Sequence, residues 1–375
     1  MIFDDLFRII SSGQTFAGGR NERTVGLVDP VTQASLGALA AGLLAKPETT
    51  RRALLVGALA GLAPDLDVFI ASAEDPLLQL QYHRHFTHSL LLAPLIGILA
   101  AIIAKGLFWL RRWPLKELIP FGIAGALTHG ALDACTSYGT LLYWPFSNHR
   151  ESWDLISIID PLLTLPLVAL LLVGFFKRQP SLARAGALFC LAYFSFGILQ
   201  RERAESFARE LADSRGHAPE QFSVRPSLAN LFLWRICYRA DDRYFVDAVH
   251  TAPGKTPRLY RGSSVPAFKP GSLEVPDDSI VARDIERFHF FSQGYLYRYP
   301  ARPEIIGDLR YSMFPDSVTP LWGITWDPKQ PDEHVKVVHL REPSPGAFQR
   351  LWTMIQGKDL PDDGEGRPEG PAQNE

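Results

Sequence analysis

Apolar residues gather in long unbroken runs through the first 200 positions of the chain and give way to short alternating runs after them. Six apolar segments stand out, at 31–45, 53–72, 90–110, 118–134, 155–176 and 182–199. The last five each approach the ~20 residues a helix needs to cross a bilayer, and a run such as 162–176 has no polar face to turn to water. The first segment is short and rich in Ala and Gly, a composition suited to a closely packed tilted span or a re-entrant half-helix. The pattern predicts an α-helical polytopic membrane domain of five to six transmembrane helices over residues 31–199.

Beyond residue 199 the character changes. A charged helical stretch at 201–215 leaves the apolar region, and β-type runs follow at 244–249, 258–260, 288–299, 305–314, 322–326 and 334–340, separated by turns rich in Pro and Gly. With a helix near 347–355, these predict a smaller, mainly β (α+β) soluble domain over 200–357. The aromatic set Phe288, Phe290, Phe291, Tyr295, Tyr297 and Tyr299 reads as its core face. Residues 1–30 read as an interfacial and loop segment: the apolar positions of 1–10 are helix-spaced, and Asp4 and Asp5 precede Arg8, which excludes a secretory signal. Residues 358–375 have the acidic, Pro- and Gly-rich composition of a disordered tail.

Whole-chain averages hide this division. Mean hydropathy is near zero, and 38 basic against 40 acidic residues leave a net charge of −2, with no basic stretch interleaved with aromatics. A nucleic-acid partner is therefore not expected. Three cysteines without a CxxC spacing support neither a disulfide framework nor a thiolate zinc site. Loop charge adds orientation. Lys46, Arg51 and Arg52, then Lys105, Arg111, Arg112 and Lys116, then Lys177, Arg178 and Arg184 follow the first, third and fifth segments, whereas only Arg84 and Arg150 follow the second and fourth. By the positive-inside rule the first three loops face the cytoplasm, and the other two loops and the C-terminal domain face the opposite side.

The candidate chemistry lies on that opposite side. Residues 83–89, His-Arg-His-Phe-Thr-His-Ser, run directly into the third apolar segment, and imidazoles at the mouth of a span are costly unless they bind something. Asp65 and Asp67 lie near the end of the preceding segment, His129 and Asp133 at the outer end of the next, and Asp160 one turn into the fifth. His129 and Asp133, at i and i+4, share a helix face and can reach one cation; the plainer alternative is a His–Asp pair tying two helices together. Asp65 reads as a ligand and Asp67 as a second ligand or an orienting group, since Pro64 unwinds the helix there. Thr87 or Ser89 can cap the next helix, and Arg84 can meet an anionic substrate group or a lipid headgroup.

Three motifs then resemble one family. GALAGLAPDLD at 57–67, HRHFTHSLL at 83–91 and THGALDACTSYGTLLYWPFS at 128–147 are similar, in that order, to the bacterial membrane-bound metal-dependent hydrolases, including the LexA-regulated, YdjM-like inner membrane proteins. The likeness covers most of residues 30–170. It implies a polar centre of Asp65, His83, His88, His129 and Asp133, supported by Thr87, Thr136 and Gly139. The chain departs from the pattern at Thr32-Gln33, where the family usually shows Thr-His, and at His85, where it more often has Gly; His85 is accordingly not counted as a ligand.

The chemistry expected of such a centre is hydrolysis. A divalent ion, Zn²⁺ by preference for mixed His and Asp ligation with Mn²⁺ or Fe²⁺ as substitutes, lowers the pKa of bound water toward ~7. Asp67 or another unligated carboxylate would take the proton, Arg84 would stabilise developing negative charge, and the substrate would be an ester or phosphoester of a lipid, lipid-linked or envelope molecule. The competing expectation is non-catalytic: an ion or proton pathway, or a metal that staples the bundle while the outer domain binds. Oligomeric state is not legible in the sequence.

Overall fold

The computed structural model describes residues 30–272, 275–340 and 346–360. The expected surface helix at 1–10 and nearly all of the expected tail lie outside the described residues. Helices α1 (Pro30–Leu43) and α2 (Thr50–Leu62) form an antiparallel pair. At Pro64 the second helix tightens into a 3₁₀ turn, Ala63–Phe69, that carries both Asp65 and Asp67. A short helix α3 (Leu78–Tyr82) and a 3₁₀ turn (Phe86–His88) lead into α4 (Ala93–Gly106), followed by α5 (Leu115–Cys135), α6 (Pro161–Lys177) and α7 (Ser181–Ser214).

Among the described residues two helices, α5 and α7, are long and apolar enough to cross a membrane, or three spans if the Leu78–His88 and Ala93–Gly106 pair, bent by 89°, counts as one. The expectation of five to six spans is not matched, for a local reason. Helices α1, α2 and α6 have 14, 13 and 17 residues, short of the ~20 that full crossing needs. The unbroken apolar runs include residues that the backbone spends on 3₁₀ turns, next to Pro64 and at Phe108–Arg112.

Small residues set how closely these helices pack. A Cβ on Gly61 would come 2.5 Å from the carbonyl oxygen of Gln33, and one on Gly125 would come 2.5 Å from that of Gly57, so α1, α2 and α5 approach backbone to backbone. Helix α7 has two characters along its 34 residues. Its first half exposes Leu188 and Leu191 (69% and 65%), whereas its second half buries Ala204, Ala208 and Ala212 at i, i+4 and i+8 against Val224, Trp234, Ile236 and Tyr238 of the first sheet. At ~1.5 Å per residue it is about 50 Å long, longer than a bilayer core is thick.

The C-terminal region is mainly β, with two four-stranded antiparallel meanders. One orders β1 (Gln221–Pro226), β2 (Leu233–Ala240), β3 (Arg243–His250) and β4 (Arg258–Pro266); the other orders β5 (Leu296–Arg298), β6 (Ile306–Asp308), β7 (Trp322–Thr325) and β8 (Lys336–His339). The expected strand at 288–299 divides. Residues through Phe291 belong to helix α8 (Ile280–Phe291), because Val281, Ile285 and Phe288 follow helical spacing and Ser279 caps the first turn through Ala282 N at 3.1 Å. Phe290 is correspondingly exposed, while Phe288, Phe291, Tyr295 and Tyr297 are buried. A last helix, α9, spans Ala347–Ile355.

The two regions interlock. Leu77 and Tyr138, from loops of the helical region, enter the hydrophobic core of the second sheet beside Ile285, Phe291 and Trp322. Tyr311 Oη donates to the Ser137 carbonyl at 2.6 Å, and Arg225 Nη1 donates to the same oxygen at 3.2 Å. The sheets thereby hold the loop after α5, and that loop in turn pairs with the histidine stretch through Leu141 N to Arg84 O (3.1 Å) and Leu90 N to Leu142 O (2.9 Å).

Candidate metal centre

Four side chains meet where the Asp65 turn, the His83–His88 stretch and the end of α5 come together. His129 Nε2 lies 2.9 Å from His88 Nε2. Asp65 Oδ1 is 3.5 Å from His88 Nε2 and 3.4 Å from His129 Nε2; Asp133 Oδ2 is 3.2 Å and 3.7 Å from the same two atoms. The imidazoles are fully buried, and of the four only the Asp65 side chain reaches the surface, at 15% exposure.

Hydrogen bonding fixes what the two facing nitrogens can be. His129 Nδ1 is 2.6 Å from the Gly61 carbonyl, which only accepts, so that nitrogen carries the ring proton. Thr87 Oγ1 donates to Asp67 Oδ2 at 2.8 Å, so against His88 Nδ1, 2.9 Å away, it accepts; Asp67 Oδ2, 3.2 Å from the same nitrogen, is a second acceptor. Both Nδ1 atoms therefore donate, and both Nε2 atoms of the neutral rings present lone pairs to each other and to two carboxylate oxygens. One shared proton would satisfy one such contact; a cation satisfies all four donors. A tetrahedron with ~2.1 Å bonds has edges of about 3.4 Å; Asp65, His88 and His129 bring one donor atom each within 4.8 Å of one another, at separations of 2.9, 3.4 and 3.5 Å, and Asp133 Oδ2 lies 3.2 and 3.7 Å from the two imidazoles. The donor set thus fits a divalent ion.

The surrounding residues orient this set. Asp67, 3% exposed, accepts from His83 Nδ1 (2.8 Å), Arg84 N (3.1 Å), Thr87 Oγ1 and His88 Nδ1, so both its oxygens are occupied. That places it as a group that orients His88, with Oδ2 taken by three donors and Oδ1 by His83. Arg84, buried, sets Nε 3.3 Å from Asp133 Oδ2 and donates from Nη1 to Thr136 Oγ1 at 3.2 Å; it braces Asp133 and does not project into open space. His83, its Nδ1 2.8 Å from Asp67, forms with Asp65 and Asp67 a second grouping that could hold an ion, and its Nε2 is buried and without a partner. Asp160 is not brought to the cluster: it caps α6 through Leu162 N and Leu163 N and accepts from Tyr193 Oη at 2.7 Å.

Gln33 belongs to the site although a ligand from its helix was in question on sequence. Fully buried, it donates from Nε2 to Asp133 Oδ1 at 2.8 Å. Its signal was an amide inside an otherwise apolar helix. Gly130 is a second unanticipated contributor, because a Cβ there would fall on the His88 carbonyl oxygen. A further grouping, Asp75, Asp284 and His334, is held together differently. Arg287 donates to both of its carboxylates at 2.9–3.1 Å, which makes it an ion-pair knot between the two regions.

Residues 28–204 match the model of the YdjM inner membrane protein family. That stretch, a little under half of the chain, is what this family likeness covers. The matched stretch contains every residue of the imidazole–carboxylate cluster and ends within α7, so the two sheets lie outside it. Comparison with curated proteins and with solved structures gives no match. The family match and the two apolar helices α5 and α7 point to the inner membrane.

Proposed function

We propose that this chain is a multi-pass inner-membrane hydrolase that uses a divalent metal, Zn²⁺ by preference, to cleave an ester or phosphoester of a lipid or lipid-linked substrate. The observation that carries the reading is the His88–His129 pair, whose facing Nε2 atoms lie 2.9 Å apart and, as neutral rings, turn lone pairs to one another, flanked by Asp65 and Asp133. When bound there, the ion would supply Lewis acidity and activate water at neutral pH. The residues do the rest. Gly61 O and Asp67 keep both imidazoles in the ligating tautomer, and Gln33 and Arg84 hold Asp133 ionised and oriented. Asp65 meets the surface between Leu66 and Phe69, which are 59% and 79% exposed. An apolar rim beside the exposed ligand favours a substrate with acyl chains, approaching from the non-cytoplasmic side that loop charge indicates.

The test is metal analysis of the purified protein beside His88→Ala and Asp133→Ala, with lipid profiling of cells that carry the intact or mutant site. One equivalent of metal in the wild type, less than half in each variant, and an accumulating lipid in cells with the mutant site is the expected result. Unchanged metal content in both variants would remove the basis of the proposal. Metal loss with an unchanged lipid profile would instead favour an ion that staples the bundle.

A further inference from the structure

Three guanidinium groups crowd the aromatic rings that join the helical region to the second sheet. Arg84 Cζ lies 4.6 Å and Arg150 Cζ 5.9 Å from the centre of the Tyr138 ring, and Arg150 and Arg310 lie 5.5 Å and 5.3 Å from that of Phe291. Two of the three are matched by carboxylates, Arg84 by Asp133 at 3.3 Å and Arg310 by Asp308 at 2.7 Å. Arg150 is not. It is 4% exposed, donates from Nη2 to the Gly139 carbonyl at 2.8 Å, and has an Nε without a partner. Among the described residues no carboxylate forms an ion pair with it. Burial and the neighbouring Arg310 and Arg84 lower its pKa to about 10, which leaves it a cation at neutral pH. A buried charge without a counter-ion is destabilising unless something supplies the opposite sign.

Arg150 also lines a cavity of about 500 Å³, within the size range of small-ligand sites. Its walls include Asn148, His149, Gln221, Gln293 and Tyr295, and none of its lining residues is acidic. Both regions of the chain build it. Gly139, at φ +85°, lets Arg150 pack so close that a Cβ would meet Arg150 Cβ at 3.1 Å. Gln293 Nε2 donates to the Arg150 carbonyl at 3.1 Å, and Gln221 Nε2 fixes Gln293 through its own carbonyl at 2.8 Å.

We propose that Arg150 anchors a binding pocket for a phosphate-type oxyanion at the seam between the helical region and the sheets, the phosphate being free in solution or carried on a lipid headgroup. A planar guanidinium is suited to such an anion, and Asn148 and His149 add donors at the rim. The pocket is separate from the His88–His129 pair and stands whether or not that pair holds an ion. It also gives the C-terminal region a task, since Gln221, Gln293 and Tyr295 supply one wall.

The test is thermal unfolding of the full-length protein in detergent after chelator treatment, titrated with inorganic phosphate or with a short-chain phosphatidic acid, at constant ionic strength. The wild type is expected to be stabilised saturably by at least one probe. A response to inorganic phosphate identifies a soluble anion, and a response to phosphatidic acid alone identifies a headgroup. Arg150→Gln is expected to unfold no lower than the wild type without ligand and to lose the response. Asn148→Asp, a change on the exposed rim, is expected to weaken the probe at least tenfold. Stabilisation by neither probe, an undiminished response in Arg150→Gln, or wild-type affinity in Asn148→Asp would overturn the proposal.

Discussion

His88 and His129 face each other Nε2 to Nε2 across 2.9 Å, and on the far side each ring's Nδ1 meets a hydrogen-bond acceptor. His129 rides on the last turns of α5, where the Gly61 carbonyl of a neighbouring helix turns its ring. His88 sits on a single 3₁₀ turn held by Asp67 and Thr87. The separation therefore depends on two braces, a backbone carbonyl beside His129 and side chains beside His88, and the side-chain brace can be removed without touching either imidazole.

Asp67→Asn tests the side-chain brace. The aspartate accepts from four donors, and an amide nitrogen cannot accept, so the substitution leaves buried donors without partners and frees His88 to rotate. Loss of such an orienting carboxylate typically lowers metal affinity ~10–100-fold. We expect that loss in a competitive chelator titration of Asp67→Asn, with all four ligands intact. Wild-type affinity would show that Asp67 does not position His88.

Gly130→Ala tests the approach of the histidine stretch to α5. In a helix interior alanine is ordinarily better than glycine by about 1 kcal/mol. Here the added methyl would fall on the His88 carbonyl oxygen, and overpacking of this kind costs about 1–3 kcal/mol. The expected result is reduced metal content and a lower unfolding temperature with unchanged helical circular dichroism. A more stable variant with full metal content would contradict the close contact.

Much of the site could be read from the chain, because Asp65, His88, His129 and Asp133 are charged or imidazole groups in otherwise apolar surroundings, where their cost demands a reason. Their division of labour could not. Whether Asp67 and Arg84 face a substrate or brace a ligand depends on which lone pairs their neighbours consume, and those neighbours come from 16 to 52 positions away. Helix count failed for a related reason. Hydropathy registers that residues 53–72 are apolar, but Pro64 makes the backbone leave the helix before the run ends. In the C-terminal region the aromatic run at 288–299 carried strand-like composition, while the helical spacing of Val281, Ile285 and Phe288 that overrode it begins upstream.

Gln33→Leu separates the contributions to Asp133. Gln33 donates to Oδ1 at 2.8 Å and Arg84 faces Oδ2 at 3.3 Å, so deleting the amide leaves one of two supports. A lost hydrogen bond to a buried carboxylate costs about 1–3 kcal/mol. We expect metal affinity to fall by roughly tenfold, less than in Asp67→Asn. Equal or greater damage would mean that Gln33 carries as much of the site as Asp67 does.

Asp75 and Arg287 offer a prediction in pH. Arg287 donates to both Asp75 oxygens, at 2.9 and 3.1 Å, and joins the loop before α3 to helix α8. Burial resists ionisation of Asp75, but the hydrogen bond and charge of Arg287 outweigh it and hold the carboxyl below its usual range. A depressed carboxylate contributes its full stability above the unfolded value of ~3.9 and loses it as pH falls through the lower folded value. The latch is thus complete at pH 7. For this partly exposed pair we expect Asp75→Asn to cost about 1 kcal/mol there, read as a lower unfolding temperature and faster proteolysis within the β region. The gap between mutant and wild type should close at a pH below the folded value, where both carry an uncharged side chain at position 75. A gap that stays constant down to the acid limit would show that the pair contributes through packing and not through charge.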